Sequence, residues 1–354
     1  MNKKIRLMTL FSGYDSQALA MERLKSNFGN FDYELVAWCD NDKYAIEAHN
    51  LIFPQWKDRN LGDITKVDFN EIPDCDVATW SFPCTDVSSA GKQIGLEQGS
   101  GTRSSLGWTA IEIFRAKRPK YLLMENVKPL VSQKFIGSFN KMIKTLEEIG
   151  YTSYFKVLNS KDYGVPQNRE RVFMVSILGD GNEWDNIGKE GFEFPQPIQL
   201  KKRVSDVLEK DVDRKYFISD KHINIYSKRF DESKMSLSGC EIIKTGRYME
   251  CGHSASSVVS IKGISHTVME NHSLAASVIY EAQDDNFNFE FNNKRYVVRK
   301  FTPREFFRLM DVDDIFIDRI QSGNIPNSQQ YKLAGNSIVV SCLYYIFKEM
   351  LEVN

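Results

Sequence analysis

The chain has 354 residues, of which 42% are hydrophobic, and its formal net charge is −1 at pH 7. This length exceeds that of most single domains, so we expect a globular protein with two lobes. The near-neutral charge does not indicate a nucleic-acid binder, although a neutral total can contain a local basic face. There is no apolar run of the roughly 18 residues that a membrane span needs, and we recognise no signal peptide, so we expect a cytoplasmic protein without membrane association.

The first half of the chain alternates apolar runs with segments of helical period. Strands are predicted at 5–11, 33–40, 75–82, 120–127 and 171–178, and a further candidate strand ends at Asp63 in GDITKV. Helices are predicted at 16–28, 42–53, 108–116 and 135–149. Strands that alternate with helices predict an α/β fold, with a mostly parallel sheet and helices on both faces.

The pattern changes after about Gly179. Short, irregular segments with Asn, Ser, Gly and Asp punctuation indicate a separate small lobe of short strands and loops. Helical spacing returns at TPREFFRLM and again at SCLYYIFKEMLE near the end of the chain. We therefore predict one domain formed by 1–192 and completed by 328–354, and a second domain at 193–327.

Features of a nucleotide pocket follow successive predicted strands. The LFSGYDSQ turn opens a helix, and its small residues let a ligand approach the backbone and the helix N-terminus. Asp40 ends the second strand, near the spacing at which a carboxylate meets a ribose diol in dinucleotide folds, and Asp63 ends the third candidate strand. Each feature alone is also explained by an ordinary turn or a helix cap. Together they suggest an adenosine-containing cofactor, and the single glycine disfavours a nicotinamide dinucleotide.

The six cysteines are widely scattered, without a CxxC pair or a Cys/His quartet at zinc spacing, so we expect free thiols and no metal site. Cys84 differs from the others because it follows a strand and Pro83, in the small-residue segment SFPCTDVSSAGK. At the carboxyl edge of a sheet its thiolate can act as a nucleophile. The alternative is a buried structural cysteine.

Three charged residues accompany Cys84. Glu125 ends the next strand in LLMENV, where a carboxyl group can serve general acid–base chemistry, unless it forms a helix cap or an ion pair. Arg169 and Arg171 are two residues apart in PQNRERVFMV, so on one strand both guanidinium groups point the same way. Such a pair suits a phosphate or a polar base edge, and the alternative is surface charge.

From end to end the chain resembles the C5-cytosine DNA methyltransferases of bacteria and phages. LFSGYDSQALAMERLK resembles the first motif of that family, SFPCTDVSSAGK its Pro-Cys motif and MENV its Glu-Asn-Val motif. LNSKDYGVPQNRERVFMV is similar to the Gln-x-Arg-x-Arg motif, and RKFTPREFFRLM and LAGNSIVV to the last two motifs. Six motifs in the right order are highly specific, whereas no single one is.

The resemblance implies an S-adenosylmethionine-dependent methyltransferase fold, a Rossmann-like mixed sheet with helices on both faces, plus a smaller, mostly β target-recognition lobe with a hinge at 193–327. It implies that S-adenosylmethionine is the cofactor, with Asp40 at the ribose hydroxyls and Asp63 and Ile64 at the adenine. The implied cofactor-binding residues are Phe11, Ser12, Gly13, Tyr14, Asp40, Asn41, Asp63, Ile64, Pro83, Leu106, Asn336 and Ser337.

The resemblance also implies the chemistry. Cys84 is the nucleophile, Glu125 holds the N3 edge of cytosine and Arg171 its O2, with Arg169 in the same catalytic group. The residues expected to contact DNA are Ser88, Lys244, Arg247, Lys262 and Thr267.

The chain departs from the family pattern in two places. Asp15 and Ser16 stand where the family usually has glycines, and an acidic residue there repels the cofactor's carboxylate unless it faces away or binds the amino group. Asp40 and Asn41 stand where the family commonly has Glu and Trp, so the usual aromatic cover on the adenine is missing.

We therefore expect a site-specific DNA cytosine-5 methyltransferase that flips cytosine out of double-stranded DNA. We expect a monomer without an obligate protein partner, in a bacterial cell or a phage-infected host, and a cognate restriction endonuclease is a further candidate partner. Three alternatives stay open: a catalytically weak DNA-binding relative, a tRNA cytosine-5 methyltransferase, and an unrelated cysteine hydrolase, which no His/Cys pairing pattern supports.

Overall fold

The computed structural model describes residues 4–83, 103–179, 191–249, 256–270 and 277–353. The chain forms two compact units. The first comprises Met1–Leu158, Glu170–Gln196 and Cys342–Asn354, and the second comprises Asn159–Arg169 and Pro197–Ser341. This grouping differs from the predicted boundaries because residues 159–169 and 328–341 belong to the second unit. The division into one domain of 1–192 with 328–354 and a second domain of 193–327 stays a prediction.

The strands and helices of the described residues are as follows. The strands are β1 (Ile5–Leu10), β2 (Tyr33–Cys39), β3 (Val77–Trp80), β4 (Tyr121–Val127), β5 (Tyr151–Asn159), β6 (Gln167–Asn168), β7 (Glu170–Leu178), β8 (Lys244–Arg247), β9 (Ser257–Ser260), β10 (Ser265–His266), β11 (Ser277–Glu281), β12 (Phe289–Phe291) and β13 (Lys294–Lys300). The helices are α1 (Ser16–Asn27), α2 (Lys43–Ile52), α3 (Leu106–Lys117), α4 (Ile136–Glu148), α5 (Asp220–Ser227), α6 (Pro303–Leu309), α7 (Asp314–Ser322), α8 (Asn327–Asn336) and α9 (Val340–Met350). Short 3₁₀ helices lie between them.

The first unit contains a six-stranded sheet with the order β2-β1-β3-β4-β7-β5. Strands β1 to β4 pair in parallel, and β7 runs antiparallel to β4. All four residues of β3, VATW, are buried, as expected of a strand covered on both faces. Because parallel strands share one carboxyl edge, the segments that follow β1 to β4 meet there, and the antiparallel β7 begins at the same edge.

A large apolar core holds this sheet together. It contains Trp80 and Met124 from the strands, Phe114 from α3 and Phe139 from α4, all almost fully buried. The ring of Trp80 meets that of Phe114 edge-on at a centroid distance of 5.4 Å. Each such large side chain contributes roughly 2–3 kcal/mol of hydrophobic stabilisation, so the strand ends are carried on a rigid frame.

The strands predicted at 5–11, 33–40, 75–82, 120–127 and 171–178 are confirmed, and so is the α/β fold. The candidate strand at GDITKV is wrong. Asp63 instead begins a 3₁₀ helix, Ile64–Lys66, by accepting a hydrogen bond from the backbone N–H of Thr65 at 3.1 Å. The edge strand β5 was not predicted, because its middle is solvent-facing: Phe155 and Lys156 are exposed, and no buried run marks it.

The second unit contains a five-stranded sheet with the order β12-β13-β11-β9-β8 and a two-stranded parallel sheet of β10 and β6. Its apolar core includes Tyr226, Ile279, Phe289, Tyr296 and Val298. The short strands predicted for this part of the chain are therefore present, and the described residues of the second unit also form four helices, α5 to α8, that the irregular sequence pattern only partly indicated.

A buried ion pair fixes α6 in the second unit. The guanidinium of Arg299 donates to both carboxylate oxygens of Glu305, at 2.7 and 2.8 Å, and neither side chain is solvent-accessible. Glu305 also accepts from the backbone N–H of Thr302, whose hydroxyl in turn accepts from the backbone N–H of Glu305 and completes a capping box. Removing one partner of such a pair typically costs about 3–5 kcal/mol, so the TPREFF sequence stabilises this part of the unit.

Across the described ranges, every helix is too short or too polar to cross a membrane.

Candidate active site

The loop between β1 and α1 has an unusual backbone. Phe11, Gly13 and Asp15 all have positive φ angles, of 58°, 60° and 70°. For a residue other than glycine this conformation costs roughly 1–2 kcal/mol, so it persists only where the surrounding structure holds it. The alternation of left-handed and ordinary residues makes a tight loop in front of the α1 N-terminus, where backbone N–H groups can receive an anionic group.

The same loop is bonded to the end of β2. The backbone N–H of Ser12 donates to the carbonyl of Cys39 at 3.1 Å, and the N–H of Cys39 donates to the Ser12 hydroxyl at 3.1 Å. The N–H of Gly13 donates to Oδ2 of Asp40 at 2.8 Å. Two neighbouring strand ends therefore form one rigid rim with the carboxylate of Asp40 at its centre.

Asp40 is half-buried, and its other carboxylate oxygen, Oδ1, accepts from the N–H of Asp42 at 2.9 Å. Burial raises the pKa of Asp40 above its ordinary value, and the hydrogen bonds from Asp42 and Gly13 oppose the rise. Each carboxylate oxygen has two lone pairs, so Asp40 retains the capacity to accept from a hydroxyl pair such as a ribose diol.

The residues predicted near the adenine lie on the same unit. Ile64 is buried in the core, and Phe11 and Leu106 are partly exposed and pack against that core. Asp63 caps its 3₁₀ helix, and the backbone N–H and hydroxyl of Thr65 hold the pKa of the Asp63 carboxyl below its ordinary value. Asn41 is exposed, so at this position the chain offers a small polar side chain in place of an aromatic ring.

Two residues predicted to bind the cofactor have side chains turned inward. Tyr14 is 1% exposed and Ser12 is 4% exposed. Only the backbone of these two residues can contribute to an open pocket. The sequence alone does not show whether Asp15 repels the cofactor's carboxylate. In the structure Asp15 is fully buried and faces away from solvent.

Cys84 and Ser88 lie outside the described residues. The two residues before Cys84 are fixed at the sheet edge. The carbonyl of Phe82 accepts from Nδ2 of Asn126 at 3.1 Å, and the carbonyl of Pro83 accepts from the hydroxyl of Ser104 at 2.7 Å. Since Asn126 lies on β4 and Phe82 follows β3, the segment that precedes Cys84 is bonded to the neighbouring strand.

Glu125 and Arg171 meet at this edge. In the β4–β7 pairing Arg171 lies opposite Val127, which places its side chain beside Glu125. Nε of Arg171 is 3.3 Å from Oε1 of Glu125, and the two side chains are only 17% and 9% exposed. A carboxyl group and a guanidinium are thus presented together in a poorly solvated position, where hydrogen bonds to a polar ring are strengthened.

Arg169 does not share a strand or a face with Arg171, so that prediction is wrong. The chain breaks between β6 and β7, and Arg169 belongs to the second unit. Its guanidinium is buried and donates to the backbone carbonyls of Val268 at 2.9 Å, Gly335 at 3.0 Å and Ser337 at 2.7 Å. These bonds indicate a positioning role for Arg169, and its catalytic role stays an untested prediction.

Asn336 and Ser337 also belong to the second unit, at the end of α8. Nδ2 of Asn336 donates to Glu270 at 3.2 Å, and the Ser337 hydroxyl donates to the carbonyl of Ala334 at 3.0 Å. A Cβ atom on Gly335 would lie 2.3 Å from the backbone of Met269, so glycine is required there. The contact of Asn336 and Ser337 with the cofactor stays a prediction.

The second unit carries the residues predicted to contact DNA. Lys244 and Arg247 lie on β8, both half-buried, and the pKa of Lys244 is lowered by partial burial and by the nearby Arg247. Thr267 follows β10, and its hydroxyl donates to the carbonyl of Asn168 at 2.6 Å. Lys262 is exposed, and its Nζ donates to the carbonyl of Met235 at 2.9 Å.

The sequence reasoning missed three residues that the structure brings forward. Asn126 and Ser104 hold the approach to Cys84, and Asn126 was visible in MENV as an amide at a strand end. His266, beside Thr267, has a pKa lowered by burial and then by the proximity of Lys244. A histidine within a β segment gave no signal of its own in the sequence.

The sheet order, with an antiparallel β7 and a loop and carboxylate at adjoining strand ends, defines a Rossmann-like methyltransferase fold. The chain belongs to the family of C-5 cytosine-specific DNA methylases, whose family model matches residues 5–352. It is a DNA cytosine methyltransferase, and enzymes of this family use S-adenosylmethionine.

Named relatives agree with this assignment. The type II methyltransferase M2.ScrFI of Lactococcus lactis subsp. cremoris is 37% identical over 294 residues, which cover 83% of this chain and 71% of the relative. M1.ScrFI of the same organism is 32% identical over 353 residues, covering 99% and 79%. The orphan methyltransferase M.SPRI of Bacillus phage SPR is 28% identical, covering 99% and 98%.

Two solved structures share the fold. The Dnmt2 methyltransferase of S. pombe has a TM-score of 0.68 at 20% identity, and 99% of each chain is covered. The Entamoeba histolytica methyltransferase EhMeth has a TM-score of 0.68 at 17% identity, covering 99% of this chain and 98% of its own.

The first unit fits S-adenosylmethionine chemically. It supplies a tight β1–α1 loop in front of the α1 N-terminus, a carboxylate at Asp40 and apolar surface at Phe11 and Leu106. Among the residues described, no cluster of His, Cys, Asp or Glu side chains is placed to hold a metal ion.

Proposed function

We propose that the chain methylates C5 of a cytosine in duplex DNA through a covalent adduct on Cys84, with Glu125 and Arg171 holding the base. The observation that carries this proposal is the Glu125–Arg171 pair, 3.3 Å apart at the edge where Phe82 and Pro83 lead into Cys84. The described residues support the proposal because Phe82 and Pro83, which precede Cys84 in the sequence, are bonded to Asn126 and Ser104 at that same edge.

Cytosine C5 is a weak nucleophile, and the adduct activates it. The Cys84 thiolate forms a bond to C6, the C5–C6 π pair moves to the C4–C5 bond, and the C4–N3 π pair moves to N3, which takes a proton from Glu125 and leaves an enamine that is nucleophilic at C5. Arg171 donates to O2 and keeps Glu125 oriented. After C5 takes the methyl group, a base or water removes the C5 proton, and loss of the Cys84 sulfur restores the aromatic ring.

S-Adenosylmethionine supplies the methyl group as an electrophilic sulfonium. In our proposal the loop Phe11–Asp15 and the N-terminal turn of α1 receive its methionine part, and Asp40 accepts from the ribose hydroxyls. Phe11 and Leu106 provide apolar contact for the adenine, with Asp63 and the backbone of Ile64 at its edge. Pro83, Asn336 and Ser337 complete the predicted set.

The target base is flipped out of the duplex, because C5 and C6 cannot be attacked inside the base stack. The second unit recognises the DNA, with Lys244, Arg247 and Lys262 at phosphates or guanine edges and Thr267 near the flipped site. Relatives of this chain come from bacteria and bacteriophages. We therefore place the activity in the cytoplasm of such a cell, as a monomer, with a cognate restriction endonuclease as a candidate companion.

The proposal is tested with DNA that carries 5-fluorocytosine. Fluorine cannot leave C5 as a proton does, so the wild-type enzyme with cofactor should form a denaturant-resistant adduct, and Cys84→Ser should form none while it still binds DNA. Transfer of tritiated methyl groups to DNA and to tRNA is compared in parallel. Absence of an adduct would refute the covalent mechanism, and labelling of tRNA alone would reassign the substrate.

A further inference from the structure

The β1–α1 loop is anchored to the protein interior by the buried carboxylate of Asp15, which the proposed chemistry does not use. Oδ2 of Asp15 accepts from the hydroxyl of Thr9 at 2.8 Å, and Oδ1 accepts from the backbone N–H of Ala18 at 2.9 Å. One side chain therefore joins the last part of β1 to the first turn of α1, on either side of the loop.

The bonds form a closed polar network. The hydroxyls of Thr9 and Ser12 are 2.9 Å apart, and Ser12 is in turn bonded to the backbone of Cys39 on β2. Thr9 and Asp15 are completely buried, and Ser12 is 4% exposed. A buried network in which each member is bonded fixes one arrangement of its chain segments.

A histidine on α2 faces the same carboxylate. Nε2 of His49 lies 3.6 Å from Oδ2 of Asp15, and both side chains are fully buried. The imidazole is stacked on Trp38, with a centroid distance of 3.7 Å and an interplanar angle of 18°. Within the described part of the chain, neither ring nitrogen of His49 has a hydrogen-bond partner. His49 is thus a fixed buried polar group directed at Asp15.

These contacts matter because the loop is strained. Phe11 and Asp15 have positive φ angles without being glycines, so the chain alone does not favour this conformation. Glycine at position 15 would tolerate the backbone angle but could make none of the side-chain bonds. Asp15 lacks the conformational freedom of a glycine, but its side-chain hydrogen bonds select one geometry of the loop.

We propose that Asp15 is a positioning residue for cofactor binding, which holds the backbone of residues 11–15 in the binding conformation through its hydrogen bonds to Thr9 and Ala18. This inference rests on the proposed cofactor site. It predicts that Asp15 acts on the affinity for the cofactor and not on the chemical step, because its carboxylate points into the protein.

The test compares Asp15→Asn, Asp15→Gly and Thr9→Val with the wild-type full chain. Calorimetry should show that Asp15→Asn raises the Kd of both S-adenosylmethionine and S-adenosylhomocysteine by about the same factor, roughly tenfold for one lost buried bond. Equal factors are expected because both molecules share the amino-acid part that the loop receives. At saturating cofactor, kcat should change by less than about twofold while KM for the cofactor rises. Asp15→Asn and Thr9→Val should be non-additive in a double-mutant cycle, since they break the same bond.

Asp76→Asn is the matched control. Its carboxylate accepts from the backbone N–H of Arg6 at 2.9 Å, so it holds the opposite end of β1. This variant should lower the Tm without changing either Kd. The proposal is overturned if Asp15→Asn weakens only S-adenosylmethionine, which would indicate attraction to the sulfonium charge, or if it lowers the Tm and leaves both Kd values unchanged. Failure of the wild-type protein to bind either molecule would instead refute the cofactor site itself.

Discussion

The side-chain amide of Asn126 donates to the carbonyl oxygen of Phe82 at 3.1 Å, two residues before Cys84. Asn126 is 3% exposed, and its own Oδ1 accepts from the backbone N–H of Val127 at 2.9 Å. The residue after Glu125 therefore fixes both the end of its own strand and the end of β3. In this way the proposed acid and the approach to the proposed nucleophile are set by adjacent positions of one strand.

Asn126→Ala should cause a large fall in kcat and only a modest loss of stability. The variant leaves the Phe82 carbonyl without its donor, which costs about 1–3 kcal/mol, and it releases the segment that leads to Cys84. A small misplacement of a reacting group can cost about 100-fold in rate, so we expect a fall in kcat of roughly 10- to 100-fold. Single-turnover methylation measures this fall. Ser153→Ala is the control. It removes the hydrogen bond between the hydroxyls of Ser153 and Ser176, which are 2.8 Å apart in the same sheet, and it should affect the Tm alone.

Glu125→Gln tests the proton at N3. The amide keeps the size of the side chain and can still bond to Arg171, but it cannot supply a proton. General acid–base assistance is typically worth about 10²–10⁴ in rate, so kcat should fall by roughly that range while the Kd for the cofactor is unchanged. Methylation at saturating DNA and cofactor gives the answer. A glutamine variant with wild-type kcat would show that Glu125 acts only as a hydrogen-bond partner.

The affinity for cofactor should fall at acidic pH because of Asp40. Burial raises the folded-state pKa of this carboxyl above the usual 3.8, so the folded protein takes up its proton at a higher pH than the unfolded chain does. The charged form is the better acceptor for ribose hydroxyls. Binding should therefore weaken as the pH falls through the raised pKa, and cofactor binding should release a proton.

Calorimetry across the acid range, in buffers of different ionisation enthalpy, measures both effects. Asp40→Asn should weaken binding at neutral pH and remove the acidic limb. If the limb persists in that variant, another group is responsible for it.

Asn41→Trp should strengthen cofactor binding. Asn41 is exposed and follows β2 directly after Asp40, where the resemblance places an aromatic cover on the adenine. Stacking of an aromatic ring contributes about 0.5–1.5 kcal/mol beyond area burial, so a roughly threefold to tenfold decrease in Kd is expected. Asn41→Ala is the control and should leave the Kd within about twofold. An unchanged Kd in the tryptophan variant would mean that the adenine does not lie beside this position.

The sequence predicted the frame of the first unit well because buried parallel strands are continuous apolar runs. It failed at Asp63, where a polar turn with two apolar residues imitates a short strand but is closed by an Asp–Thr cap. It also failed at β5, whose exposed edge lacks an apolar run. In the first case a local cap decided the structure, and in the second the position at the edge of the sheet did.

The partners of the individual side chains could not be predicted from the sequence. Spacing placed Arg169 and Arg171 on one face, but the strand break between them sends one guanidinium to three backbone carbonyls and the other to Glu125. Likewise, nothing local to Asp15 indicated whether its carboxylate faces a ligand or the interior. That depends on Thr9 and His49, which come from β1 and α2.

The pair Arg169→Lys and Arg171→Lys should separate positioning from catalysis. Lysine is a compact donor that cannot span carbonyls from two chain segments, so Arg169→Lys should lose about 3 kcal/mol of stability. Its kcat per folded molecule should stay within about threefold of wild type, because its guanidinium is buried against the carbonyls of Val268, Gly335 and Ser337. Arg171→Lys loses the planar fork beside Glu125 and should show the reverse, a large fall in kcat with a small change in Tm.

Thermal unfolding gives the stability of each variant, and the amount of adduct formed on 5-fluorocytosine DNA gives the concentration of competent enzyme for normalising kcat. The two substitutions are identical in chemistry and both keep the positive charge, so a difference between them reflects the different surroundings of the two guanidinium groups. If Arg169→Lys reduced the normalised kcat as strongly as Arg171→Lys while the Tm was unchanged, Arg169 would be a catalytic residue after all, and its carbonyl contacts would have to rearrange when DNA binds.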